Sequence, residues 1–187
     1  MSEMIDQAFD EANDQAEKSL EHLKKELSKL RTGKANPSML DNIYIDYYGS
    51  QNPLNQVANV SAQDSKTLTI QPWDKSIIDT IEKAIFEANL GLTPQNDGEV
   101  IRISIPPLTE ERRKELVKQA KGFAEETKIS LRNVRREVLD VIKDQVKDGY
   151  PEDQGKRREA EVQTLMDKYG TKVDEIIEAK EKDIMTI

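Results

Sequence analysis

Pro106-Pro107-Leu108-Thr109-Glu110-Glu111-Arg112-Arg113-Lys114-Glu115-Leu116 opens a run that reaches Asp148 with no proline and a single glycine, Gly122. Two prolines cannot continue a strand ladder, Thr109 can accept from the first free backbone N–H groups, and Glu110 and Glu111 suit the positive end of a helix dipole. The segment therefore predicts one long helix from Thr109 to about Lys147. At about 100° per residue, Leu116, Ala120, Phe123, Thr127, Leu131, Val134, Val138 and Val141 fall on one stripe. Spacing by threes and fours is that of a bundle or coiled-coil seam.

Nearly opposite the seam lies a cationic sector. Lys114, Lys118, Lys121, Lys128, Arg132, Arg135 and Arg136 all fall within roughly 60° of Arg132 on the same wheel. Glu125 intrudes, whereas Glu126, Glu137 and Asp144 sit more than about 100° away. At 1.5 Å rise per residue the stripe spans about 33 Å, long enough to follow several phosphates of a folded RNA. A merely solvated face can carry the same charges, and the lysine half of the stripe fits either reading.

Composition bounds the rest. The chain of 187 residues, 36% hydrophobic and 34% charged, can bury a core as one or two small domains, since its apolar residues are placed periodically. It has no cysteine, which removes disulfides, thiol nucleophiles and cysteine metal sites. No apolar run approaches the roughly 20 residues that cross a bilayer, and the start is acidic and amphipathic rather than a secretory signal. A cytoplasmic chain is expected. Its net charge of −8 repels phosphate at long range. Screening over about 8 Å still lets a local basic stripe act, so any RNA contact must be shaped and local.

A second long helix is expected from about Glu3 to Leu30, with Ile5, Phe9, Ala12, Ala16, Leu20, Leu23, Leu27 and Leu30 on its seam. His22, the only histidine, lies beside that seam with no second histidine to complete a metal site. Gly33 and Pro37 stop the helix. The texture then changes. Ile43 to Tyr48 alternates as a strand ahead of a turn-rich Gly49 to Pro53, and Val57 to Ser61, Thr67 to Gln71 and Val100 to Ile105 are further strands. Between the last two, Lys75 to Asn89 forms a short amphipathic helix on Ile78, Ile81, Ile85 and Ala88, capped by Gly91.

After a turn at Asp148-Gly149-Tyr150-Pro151, a third long helix runs from about Glu152 to Lys182. Its seam is Val162, Leu165, Met166, Tyr169, Val173, Ile176 and Ile177, with Gly155 and Gly170 as weak points. Three amphipathic helices must bury their stripes together. The fold class is α+β: an elongated three-helix bundle of residues 1–31 and 106–187, about 45 to 60 Å long, with a small β-rich α/β domain inserted at 32–105. Two chain crossings join the parts, at Thr32-Gly33 and Ile105-Pro106-Pro107, and such a double connection acts as a hinge.

The segments Leu30-Arg31-Thr32-Gly33-Lys34-Ala35-Asn36-Pro37, Tyr47-Tyr48-Gly49, Leu90-Gly91-Leu92-Thr93-Pro94, Pro106 to Leu116 and Arg132-Asn133-Val134-Arg135-Arg136 together resemble the ribosome recycling factor family, in its order and over essentially the whole chain. Lys34 departs from it, standing where the family often has arginine, so a point charge replaces a planar fork. The resemblance implies a two-domain, L-shaped protein of near-tRNA dimensions. It implies binding to the large ribosomal subunit after termination and, with elongation factor G and GTP, separation of the subunits. It implies no catalytic residue, and no metal or cofactor is expected. It matches Arg31, Arg113, Arg132, Arg135 and Arg136 to RNA-contacting positions. The helix geometry adds Lys121 and Lys128 from the stripe and Asn133, about 100° from Arg132, as a flanking hydrogen-bonding group.

Two other classes suit parts of the pattern. A helical-bundle adaptor or RNA-binding chaperone would leave apolar seam exposed and self-associate, whereas a closed bundle stays monomeric. An enzyme could use Asp46 with Asp74, or Glu110 with Glu111. Strand surface and helix-start charge account for those acids, and the chain has no glycine-rich phosphate loop, HExxH pair or nucleophile elbow.

Overall fold

The computed structural model describes residues 2–186. In chain order the elements are α1 (Ser2–Ser28), β1 (Tyr44–Tyr47), β2 (Ser50–Pro53), β3 (Ala58–Ala62), β4 (Thr67–Pro72), α2 (Ile78–Glu87), β5 (Pro94–Asn96), β6 (Ile101–Ser104), α3 (Glu110–Lys147) and α4 (Glu152–Met185). They divide into two compact units, Met1–Thr32 with Glu110–Ile187, and Gly33–Thr109. Pro106 to Thr109 thus go with the second unit.

The first unit is α1, α3 and α4. Cross-helix contacts fix their directions: Asp6 and Glu17 on α1 meet Arg158 and Lys172 on α4, so these two run parallel, while Lys121 and Lys128 on α3 meet Glu181 and Asp174, so α3 runs against α4. The core comprises Ile5, Ala12, Ala16, Leu20, Leu23 and Leu27 of α1, Leu116, Ala120, Ala124, Leu131, Val134, Val138 and Ile142 of α3, and Val162, Met166, Tyr169, Val173 and Ile184 of α4. This corrects the expected seam at two positions on α3. Ala124 and Ile142 are buried where Phe123 and Val141 were expected, and the latter two are half-buried. The reason is that α3 packs against two helices, so its buried sector widens beyond one stripe. Phe123 is turned toward a groove shared with His22 and Leu23 of α1. Leu30 lies beyond the end of α1, which stops at Ser28.

Gly155 is more than a weak point in α4. A Cβ placed there would lie 2.7 Å from Val146 Cγ2, so glycine permits the close approach of the first turn of α4 to the end of α3. Gly155→Val should lower stability by about 1–3 kcal/mol through overpacking, read as a drop in thermal midpoint. An unchanged midpoint would mean that the junction has room to relax.

Tyr169 ties α4 to α1. Its hydroxyl donates to Asn13 Oδ1 at 3.1 Å or Glu17 Oε1 at 3.0 Å, and Lys172 Nζ sits 5.1 Å from its ring. Burial and the Glu17 carboxylate push the phenol up to about 12. A raised folded value favours the neutral form in the folded state. This contribution is therefore intact below the unfolded value near 10 and lost as pH rises through about 12. Tyr169→Phe should flatten the alkaline stability loss in that window relative to the parent, measured by denaturant unfolding at stepped pH.

The second unit has a two-stranded antiparallel ribbon, β1-β2, and a four-stranded antiparallel sheet in the order β3-β4-β6-β5. Ile45, Leu68, Ile70, Ile81, Ile101 and Ile103, all fully buried, form the centre of its core with α2. The expected turn at Gly49 to Pro53 is largely strand. Tyr48 and Gly49, with φ of 51° and 80°, make a two-residue turn of the left-handed hairpin kind, and Ser50–Pro53 returns along β1. Tyr48 is consequently the exposed tip of a turn rather than the end of a strand. Pro94–Asn96 is also a strand, paired with β6. Its proline hid it, yet an edge strand tolerates proline. The left-handed residue that ends the short helix is Asn89, φ 51°, ahead of Gly91.

Candidate nucleic-acid interface

Helix periodicity puts the apolar half of α3 inward and its cationic sector outward, and burial follows that division. Leu131, Val134 and Val138 are buried, whereas Arg132, Asn133, Arg135 and Arg136, interleaved with them, are exposed. Because the three arginines ride on the middle of a 38-residue helix fixed by two neighbours, their Cα positions are rigid and only the side chains adjust. None of the three has an acidic partner among the described residues. Planar guanidinium forks presented in this way suit phosphate oxygens and base edges.

Lys121 and Lys128 of the same stripe differ. Lys128 Nζ lies 3.0 Å from Asp174 Oδ1, and Lys121 Nζ lies 3.7 Å from Glu181 Oε1, both across to α4. Lys128, Arg132, Asp167 and Asp174 also line one shallow depression with Leu131, Met166 and Gly170. The cationic sector is therefore bordered by carboxylates on its α4 side. Sequence reasoning missed this border. Its signal was present: Asp167, Asp174 and Glu181 recur every seven residues, as do Lys121, Lys128 and Arg135.

The remaining expected contact residues lie elsewhere on the first unit. Arg31 is exposed in the irregular segment after α1. Arg113, in the first turn of α3, is half-buried, and its Nε is buried without a hydrogen-bond partner. The expected hinge residues also separate. Ile105 is buried, and its N–H donates to the Lys66 carbonyl at 2.7 Å. Pro106 and Pro107 are exposed, and Thr32 and Gly33 are half-buried. Gly33 has φ +76°, and a Cβ there would lie 3.0 Å from Leu108 Cγ, so the two crossings meet at this point.

Among the described residues no group of histidines and acids could hold a metal ion, and no helix is long and apolar enough to cross a membrane.

A family model described as ribosome recycling factor matches residues 23–185. The ribosome-recycling factor of Porphyromonas gingivalis is 53% identical over 172 residues, covering 91% of this chain and 92% of its own. That of Desulforamulus reducens is 48% identical over 184 residues, covering 98% of this chain and 100% of its own. A solution structure of the ribosome recycling factor superposes with a TM-score of 0.76 at 40% identity, over 98% of each chain. A second structure, of the Thermus thermophilus ribosome recycling factor and Escherichia coli elongation factor G on the post-termination complex, gives 0.63 at 45% identity, over 97% of this chain and 99% of the other.

Proposed function

The chain belongs to the ribosome recycling factor family, and on that premise we propose that it binds the post-termination ribosome through the outward face of α3 and, with elongation factor G and GTP, separates the subunits. The observation that carries the site is the trio Arg132, Arg135 and Arg136, exposed on a rigid helix and unpaired among the described residues. Asn133 flanks them, Arg113 and Arg31 extend the contact, and the large-subunit ribosomal RNA is the surface they meet. The factor makes and breaks no covalent bond; GTP hydrolysis belongs to elongation factor G. It works in the cytoplasm, where translation terminates, and as a monomer.

The division of labour follows from the connections. The second unit runs from Gly33 to Thr109, so turning falls where it joins the first: at Thr32-Gly33 on one crossing and, beyond Pro106 and Pro107, at Thr109-Glu110 on the other. Elongation factor G would act on the second unit, and the hinge would turn that push into displacement against an anchored bundle.

Light scattering of post-termination ribosomes tests the whole reading. Scattering should fall only when this protein, elongation factor G and GTP are all present, and an equal fall without the protein would sink it. Binding to isolated large subunits should also weaken with salt. Three arginine–phosphate contacts predict a log–log slope of about −2 to −3, and a flat titration would argue against phosphate contact.

A further inference from the structure

We infer that Asp174 and Glu181 of α4 are specificity-determining residues. They withdraw Lys128 and Lys121 from general phosphate binding and so shift RNA contact on the middle of α3 toward the arginines. The inference rests on the α3 face being the RNA-binding surface.

The cationic stripe and the acidic border share one repeat. Lys121, Lys128 and Arg135 are seven residues apart on α3, and Glu181, Asp174 and Asp167 are seven apart, in reverse order, on the antiparallel α4. A seven-residue step keeps side chains on nearly the same side of a helix, so the two rows face each other rung by rung. Two rungs are closed, Lys121 with Glu181 and Lys128 with Asp174. The third is open. Asp167 Oδ1 accepts instead from Gln163 Nε2 at 2.8 Å on its own helix, and Arg135 stays exposed. The ladder thus pairs Lys121 and Lys128, whose compact charges attract any phosphate, and spares the Arg135 fork, which reads geometry.

Surface pairs of this kind, each with one exposed and one half-buried member, add little to stability, so stability does not account for the arrangement. Binding does. A lysine held at 3.0 Å from a carboxylate must shed that partner before it can neutralise a phosphate, and the carboxylate left behind repels the same phosphate. Both effects penalise an RNA laid along the whole stripe. A surface shaped to meet only Arg132, Arg135 and Arg136 escapes them.

The test measures binding to a short mixed-sequence RNA duplex and, separately, to isolated large subunits, by anisotropy and co-sedimentation across a salt series. Asp174→Asn should tighten duplex binding by about 3- to 10-fold and steepen its salt slope by roughly one, as one lysine is released. Large-subunit binding should change by less than about 2-fold, so the discrimination ratio falls. Adding Lys128→Gln to Asp174→Asn should cancel the gain, and Glu181→Gln should act through Lys121 in the same way. Asp10→Asn, an exposed position on α1, alters net charge equally and should leave the duplex slope unchanged. The inference is overturned if Asp10→Asn raises duplex affinity as much as Asp174→Asn, or if the gain survives Lys128→Gln. Failure of the RNA-face reading has a different signature: the arginine variants discussed below would keep parental large-subunit binding.

Discussion

Arg132→Glu combined with Arg135→Glu should remove most binding to large ribosomal subunits while the folded helix content stays as it was. A hydrogen bond to a charged group contributes about 1.5–3 kcal/mol, so losing two forks costs roughly 3–6 kcal/mol, or about 10²- to 10⁴-fold in affinity. The reversed charges add repulsion to that loss. The fold should not suffer, because both side chains are exposed and neither closes an ion pair among the described residues, and such surface changes usually stay within about 0.5 kcal/mol. Co-sedimentation with large subunits beside far-ultraviolet circular dichroism separates the outcomes. Parental co-sedimentation of the double variant would refute the α3 face as the contact. Lys121→Glu with Lys128→Glu should lose far less, since those lysines already face Glu181 and Asp174.

The second large effect is expected in the inserted unit. Ile70 and Ile101 are direct cross-strand partners in β4 and β6, and both are fully buried. Each truncation to alanine costs about 2–5 kcal/mol, and the pair share one cavity, so the double loss is sizeable though not strictly additive. A unit of that size holds only about 0.05–0.15 kcal/mol per residue, or several kcal/mol in all. Ile70→Ala with Ile101→Ala should therefore melt the second unit, while the bundle, with a separate core, stays folded. Hydrogen exchange would show protection lost in β3 to β6 and kept in α3. Large-subunit binding should persist within a few-fold, and subunit splitting with elongation factor G and GTP should fall to the background rate. Splitting at the parental rate by a protein whose second unit is melted would mean that the bundle alone does the work.

Both expectations depend on features that differ in how far the linear chain discloses them. The helices were legible because their signals are local: Pro106-Pro107 before Glu110-Glu111, a run free of proline, and an apolar period that persists for about seven turns. The strands of the sheet were legible where they alternate, as in Ile101–Ser104, which buries Ile101 and Ile103 and exposes Arg102 and Ser104. They were hidden where strand identity comes from a partner. Ser50–Pro53 is polar and contains a proline, and it is a strand only because the left-handed Tyr48-Gly49 turn folds it back on β1. Pro94–Asn96 is a strand only because β6 lies beside it.

The cationic face divides in the same way. Which residues of α3 turn outward is a matter of about 100° per residue and is carried by sequence alone. Spacing alone does not separate Arg132, Arg135 and Arg136 from the four lysines of that sector; the family resemblance singles them out. Whether a lysine on that face is available is a tertiary matter, because its partner comes from a helix some fifty residues further along the chain. Lys128 meets Asp174 only once α4 packs antiparallel to α3, in a register helped by Gly155 lying against Val146. Local periodicity therefore determined the helices and alternating strands, most of their inward faces and the positions of the charges. The packed structure decided which charges are already answered, because Coulomb energy depends on distances in space that neighbours in sequence do not set.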